Sequence, residues 1–256
     1  MRVALQFCLY LITPISPMVS GVSHTTQQQL PASFCPGEPI QIAWHRYYPY
    51  SYLDPKSQKL VGEDIRYISE IFDDLGCKIE FVRMTWGRTL LEIENGALDM
   101  TLYAYKTEDR AKRFLFSEPY RTQPIRLGIL NKNKHKWQIK SLDDIRAFKL
   151  TVAADTHVWA GNVFEEFTKR YKGVHVFHVH SMNRRLEMLM SNRVDVIVGD
   201  PLAMEHEAKV SGVFDELFIV DFALYDSAVH LVLKKNRFSS TFVERLNKQL
   251  VQKSQY

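Results

Sequence analysis

Short apolar runs and longer amphipathic stretches alternate along this chain, and the alternation occurs twice. Residues 41–44 read as a strand, 65–75 as a helix and 78–84 as a strand, followed by a helix from Trp86 to Asn95 and a strand over 98–103. A second series runs strand 149–153, helix 160–171, strand 174–179, helix 183–191 and strand 194–198. Repeated βαβ alternation predicts mainly parallel sheets flanked by helices. Between the two series, Ser141 with Asp144 three residues on announces a helix over 141–147. Residues 228–234 read as a strand returning to the first series, and 241–253 as a closing amphipathic helix. The expected architecture is therefore α/β with two lobes, residues 36–121 plus 224–256 forming the first and 122–223 the second. The chain crosses between them near 120–126 and again near 222–229, and two extended crossings make a hinge that can close on a ligand.

The richest local segment is residues 86–120, WGRTLLEIENGALDMTLYAYKTEDRAKRFLFSEPY. Its helix carries Leu90, Leu91 and Ile93 and ends at Asn95-Gly96, where a left-handed glycine stops it. The following strand delivers Thr107, Glu108, Asp109 and Arg110 at its carboxyl end, where open α/β sheets place their ligands. A guanidinium there matches a carboxylate two-pointedly, so Arg110 is a candidate anion clamp; the alternative is a solvated ion pair with Glu108 or Asp109. In the second series the apolar strand of residues 194–198 ends at Gly199-Asp200. Asp200 reads as a ligand carboxylate, as the N-cap of a helix begun by Pro201, or as both. Tyr47, Tyr48, Pro49, Tyr50 and Tyr52 form an aromatic loop after the first strand, either walling a site or packing a lobe.

The ordered set Trp86, Thr89-Leu90, Ile93, Gly96, Asp99, Thr107, Arg110, Phe116-Ser117 and Pro119-Tyr120 resembles the extracellular solute-binding proteins of the polar amino acid family, the capture components of bacterial amino acid importers. The resemblance extends over residues 38 to 250 and implies the two-lobe periplasmic-binding-protein fold of type II. It further implies that Arg110 holds the ligand's α-carboxylate, that Asp200 takes its ammonium group and that Tyr47 stacks on its side chain, with Tyr50 as a second wall. Thr107 completes the anion-binding pattern. Thr156 matches a turn whose N–H and hydroxyl bind the carboxylate, but the family's preceding glycine is Asp155 here, and a carboxylate at that point repels an anion unless it faces away. Tyr103 and Tyr105 also depart from the family's small or hydroxyl residues. They fill space, giving a smaller pocket, a phenolic hydrogen-bonding pocket, or a ligand unlike the usual polar amino acids.

The first residues carry a single basic group, Arg2, then an apolar run from Val3 to Ile12 and small residues up to Ser23. That layout is a secretory leader over residues 1–23, too short to span a bilayer, where about 20 apolar residues are needed. Its removal leaves about 230 residues, room for one large or two small domains at about 150 residues each. The expected location is the periplasm. In such an oxidising compartment Cys35 and Cys77, which precede two strands expected to start at one sheet edge, can form a disulfide; the alternative is two thiols too far apart to join. The formal charge of +4 comes from basic residues scattered among acids, with no basic stripe, so nucleic acid is not an expected partner. His157, His175, His178 and His180 invite a metal reading, yet on a strand His178 and His180 share a face that His175 does not. Two convergent ligands fall short of the three or four that zinc needs, so no metal is expected.

No nucleophile elbow, zincin helix, P-loop or dinucleotide fingerprint occurs. What the resemblance implies is capture of a small zwitterion by a monomeric, cofactor-free binding protein that hands it to an ABC-type permease. Its rivals are a periplasmic dehydratase on the same scaffold, for which His157 is the sequence hint, and a free-standing ligand sensor.

Overall fold

The computed structural model describes residues 34–155, 161–170 and 173–253. The leader, Thr156 and His157 lie outside the described residues. The chain opens with β1 (Ile40–Trp44), a small antiparallel pair β2 (Tyr52–Leu53) and β3 (Leu60–Val61), then α1 (Glu63–Leu75), β4 (Ile79–Arg83), α2 (Trp86–Asn95) and β5 (Met100–Ala104). There follow α3 (Glu108–Arg113), β6 (Leu115–Phe116), the long β7 (Arg121–Leu130), α4 (Leu142–Ala147), β8 (Val152–Ala154), α5 (Gly161–Arg170), β9 (Val176–His178) and α6 (Met182–Met190). The last elements are β10 (Val196–Gly199), α7 (Pro201–Val210), β11 (Leu217–Leu233) and α8 (Ser240–Lys253). No helix among these residues is long and apolar enough to cross a membrane.

The main sheet runs β4-β1-β5-β11-β7-β10-β8-β9, with β6 also on β11. At one end β1 pairs in parallel with β4 and β5, and at the other β8 pairs in parallel with β9 and β10, as the two alternating series require. What joins them is antiparallel. β7 and β11 pair from Leu130 opposite Leu217 to Arg121 opposite Val229, and the register shifts between Val220 and Tyr225. The segments expected as bare crossings are therefore parts of two long strands, the start of β7 and the middle of β11, which link both halves of the sheet. The return strand extends well upstream of residue 228: Asp226 pairs opposite Pro124, and Asp221 falls within the strand where the register shifts, so these acids interrupt the apolar pattern without making a loop.

Burial explains the strand sequences. On β10, Val196 and Val198 enter the cluster of Ile125, Leu127, Val152 and Phe164, while Ile197 enters that of Leu186, Leu189 and Met204 on the opposite face. A strand covered on both faces reads as a continuous apolar run. In the other half, Ala43, Ile93, Leu98, Phe114 and Val232 form the equivalent core. Gly96 ends α2 in the left-handed region, φ 85°, as its sequence position predicts. Ser141 and Asp144 form the expected capping box on α4. Because β1 and β4 start side by side, with Ile40 opposite Ile79, Cys35 and Cys77 meet in a disulfide with Cα atoms 5.4 Å apart.

Candidate functional site

A cavity of about 550 Å³ lies where the carboxyl ends of strands from both halves face one another. The first half contributes the residues after β1 (His45 to Tyr48) and after β5 (Tyr105, then Arg110 on α3), and the second contributes Asp155 after β8, Arg185 on α6 and Asp200 after β10. Strand ends suit this task because the backbone stops hydrogen-bonding there and releases side chains into the crevice.

Arg110 is held by its surroundings rather than by an acid. Its Nη1 donates to the Tyr105 carbonyl at 3.0 Å, and its guanidinium lies 5.4 Å from the centre of the Trp86 ring. Burial, with the neighbouring Arg113, lowers its pKa, and no ion pair to Glu108 or Asp109 forms among the described residues. Thr107 is set apart from the cavity wall; its hydroxyl caps α3 by accepting from the Arg110 N–H at 3.2 Å. The motif's Thr-x-x-Arg spacing thus starts the short helix that points Arg110 inward.

Tyr47 lines the cavity, its hydroxyl accepting from the Gln123 side-chain amide and its ring 5.7 Å from that of Tyr103 in an edge-on contact. Tyr50 sits behind the wall. Its hydroxyl donates to Asp200 Oδ2 at 2.9 Å, and the Arg121 guanidinium lies 3.7 Å over its ring. Tyr103 lines the cavity with its hydroxyl already engaged by the His45 N–H and Ser51. Tyr105 differs: it is 4% exposed, yet its hydroxyl has no partner among the described residues. Burial raises the pKa of all four phenols, so they are neutral donors at ordinary pH.

Asp200 reaches the cavity but is 1% exposed. Its Oδ1 caps α7 by accepting from the N–H groups of Leu202 (2.8 Å) and Ala203 (3.3 Å), with Pro201 in the first turn. The capping role read from Asp-Pro is therefore present, and with Tyr50 on Oδ2 one of about four acceptor directions remains. Desolvation raises the Asp200 pKa against the pull of these hydrogen bonds. Asp155 does face the cavity, where His180 Nδ1 lies 2.9 Å from its Oδ1. His180, weighed above only as a metal ligand, is thus a cavity residue; no group of three or more His, Cys, Asp or Glu able to hold a metal occurs among the described residues.

Several wall residues escaped the sequence reading. His45 packs 4.8 Å edge-on against Tyr103, and burial drops its pKa to about 4. Glu207 of α7 pairs with Arg46 at 2.8 Å across the two halves. Arg185 shares a face of α6 with Met182 and Leu189, and an arginine at such an apolar position was the available signal. Beneath the site Arg121 grips Asp64 at 2.9 and 3.2 Å, and Tyr120 donates to the same carboxylate.

The sequence matches the model of the bacterial extracellular solute-binding proteins, family 3, over residues 40–252. It is 27% identical over 168 residues to the L-cystine-binding protein TcyA of Bacillus subtilis (strain 168), covering 65% of this chain and 58% of that protein. It is 31% identical over 157 residues to the probable ABC transporter extracellular-binding protein YckB of the same organism, covering 60% and 52%. The chain thus spans less than two thirds of the length of these curated relatives. Among solved structures, the probable amino-acid ABC transporter extracellular-binding protein YtmK from Bacillus subtilis superposes with a TM-score of 0.71 at 20% identity, covering 84% of this chain and 91% of that one. An ancestral arginine-binding protein bound to arginine gives 0.69 at 24%, covering 84% and 91%. At these identities the structures establish the fold, that of the type II periplasmic binding proteins.

Proposed function

The chain belongs to the bacterial extracellular solute-binding proteins, family 3, and from that membership we propose that it captures a small zwitterion, an amino acid or close analogue, between two hinged lobes and presents it to an ABC-type permease. The lobes are residues 36–121 plus 224–256 and residues 122–223, with β7 and β11 as the hinge. The working compartment is the periplasm, reached through the leader of residues 1–23. The curated relatives carry the names of binding proteins rather than enzymes.

The observation that carries this reading is Arg110, a half-buried guanidinium turned into a cavity at the strand ends, bonded to a backbone carbonyl and to no carboxylate among the described residues. A ligand carboxylate completes its fork. Tyr105 offers its unpartnered hydroxyl beside it, and Tyr47 supplies an aromatic wall. Asp200 receives the ammonium group in its remaining acceptor direction while Oδ1 continues to cap α7. Tyr103 narrows the space, and Tyr50 fixes Asp200 from behind. Thr107 acts by aiming Arg110, and the family resemblance assigns Thr156 to the same ligand carboxylate. Expulsion of water on closure strengthens each of these charge contacts.

Thermal unfolding of the purified protein against a panel of amino acids tests the proposal. A ligand at about 100 times its Kd stabilises the folded state by about 2.7 kcal/mol, a readily measured rise in melting temperature. Arg110→Ala should abolish that rise, because stranding a desolvated charge costs about 2 to 5 kcal/mol of affinity. An unchanged Kd in Arg110→Ala rules out the assignment.

A further inference from the structure

Arg185 stands in the cavity wall with no part in the binding mode above. It is 7% exposed, on the buried face of α6, and packs over Gly199 at the end of β10. A Cβ at position 199 would overlap the Met182 methyl group and lie at ordinary contact distance, 3.5 Å, from Arg185 Nη1, so the guanidinium rests against the backbone at the end of β10. Nη1 donates to the Val198 carbonyl. The Nε donor has no partner among the described residues and no contact with solvent.

The cavity's carboxylates are matched differently from its guanidinium groups. Asp200 is taken by the α7 N–H groups and Tyr50, Glu207 by Arg46, and Asp155 faces His180. Arg110 and Arg185, by contrast, bond only to backbone carbonyls among the described residues, Tyr105 and Val198 respectively. Burial disfavours the charge on both, and Asp155 offsets this for Arg185 without an ion-pair contact. One carbonyl occupies one of a guanidinium's five donors, and for the buried Arg185 a cation without a bonded counter-ion is costly. The two come from opposite halves of the sheet and line the same cavity.

We propose that Arg185 is a second anion subsite and that the ligand is an amino acid with an acidic side chain: Arg110 takes the α-carboxylate and Arg185 the distal carboxylate or sulfonate. This rests on the binding function proposed above and names its ligand class. It separates this chain from relatives and neighbours named for cystine and arginine.

Calorimetric titration of the full chain with L-glutamate against L-glutamine, L-aspartate against L-asparagine, L-cysteate, L-arginine and L-cystine decides the matter. An acid should bind about 30-fold or more tighter than its neutral amide, since a desolvated charge pair is being made or lost. Cysteate outcompeting glutamate identifies the distal group as a sulfonate, and the reverse identifies a carboxylate. Arg185→Met should reduce the preference to about 3-fold or less while weak binding through Arg110 persists. If Arg185→Met fails to fold, the wild-type acid-to-amide ratio decides alone. Equal affinity for acid and amide, best binding of arginine or cystine, or an acid preference that survives in folded Arg185→Met overturns the inference and leaves the binding function standing. A chain that binds none of the seven overturns both.

Discussion

His45 shows how one side chain ties the cavity wall to the stability of the whole. It follows β1 directly, and its ring lies 6.0 Å from Trp86 and 4.8 Å from Tyr103. Desolvation there lowers its pKa from 6.5 to about 4, with Asp155 working in the other direction. Between those values the unfolded chain holds a proton that the folded chain refuses. The stabilisation is therefore complete above pH 6.5 and is lost as pH falls toward 4, by about 3 kcal/mol at about 1.4 kcal/mol per unit. Urea midpoints at pH 7 and 4.5 check this: His45→Phe, which keeps a ring in the same pocket, should lose about 2.5 kcal/mol less than the wild type over that interval. Equal losses would show that His45 is not the group responsible. Above pH 6.5 the same burial keeps this part of the wall uncharged. At this scale the sequence disclosed residues whose chemistry follows from a strand end, Arg110 and Asp200 above all. It concealed His45 and Arg185, because a titratable residue beside apolar neighbours looks the same whether its helix or strand buries it against a core or against a crevice.

The elements were legible wherever one period ran unbroken. The alternating strands and helices of both series lie within a few residues of their expected places, since two-sided burial wrote Val196, Ile197 and Val198 as one apolar block. β7 and the upstream part of β11 were not legible, because strands that leave one core for another change which face is covered and so lose their alternation. Residues 86–120 owe much of their regularity to structure rather than ligand contact. Asp99 accepts from the Gln41 N–H and pairs with Arg237, and the Ser117 hydroxyl accepts from the Leu231 N–H. The disulfide belongs to this scale too. It closes 42 residues of chain from the entry of β1 to the entry of β4, spanning all of α1. Chain entropy for such a loop gives at most about 4 kcal/mol, and measured effects commonly fall to about 2. A Cys35→Ser, Cys77→Ser double variant should lower the urea midpoint accordingly and raise the denaturant slope, because the freed unfolded chain exposes more surface. A midpoint that does not move would place the covalent link among contacts already enforced by the β1–β4 pairing.

In the hinge closure proposed above, β7 and β11 form the covalent frame on which the two halves turn, and a few contacts at the cavity mouth join the halves. Arg46 reaches Glu207, Tyr50 reaches Asp200, and Tyr48 stacks on His206 with ring centres 3.3 Å apart. All three join the loop after β1 to α7. Removing any of them raises the energy of the closed form relative to the open one, and the apparent Kd then grows as the closed fraction shrinks. His206 gives the cleanest test because it is absent from the cavity wall. An aromatic pair is worth about 0.5 to 1.5 kcal/mol, so His206→Ala should weaken ligand binding by about 2- to 10-fold. The loss should fall on the rate of ligand release and leave the melting temperature of the ligand-free protein almost unchanged. Small-angle scattering of the unliganded variant should show a larger radius of gyration than the wild type, with the two converging at saturating ligand. A variant whose Kd and scattering both match the wild type would mean that closure does not pass through the Tyr48–His206 contact, leaving Arg46 and Glu207 to set the balance between open and closed.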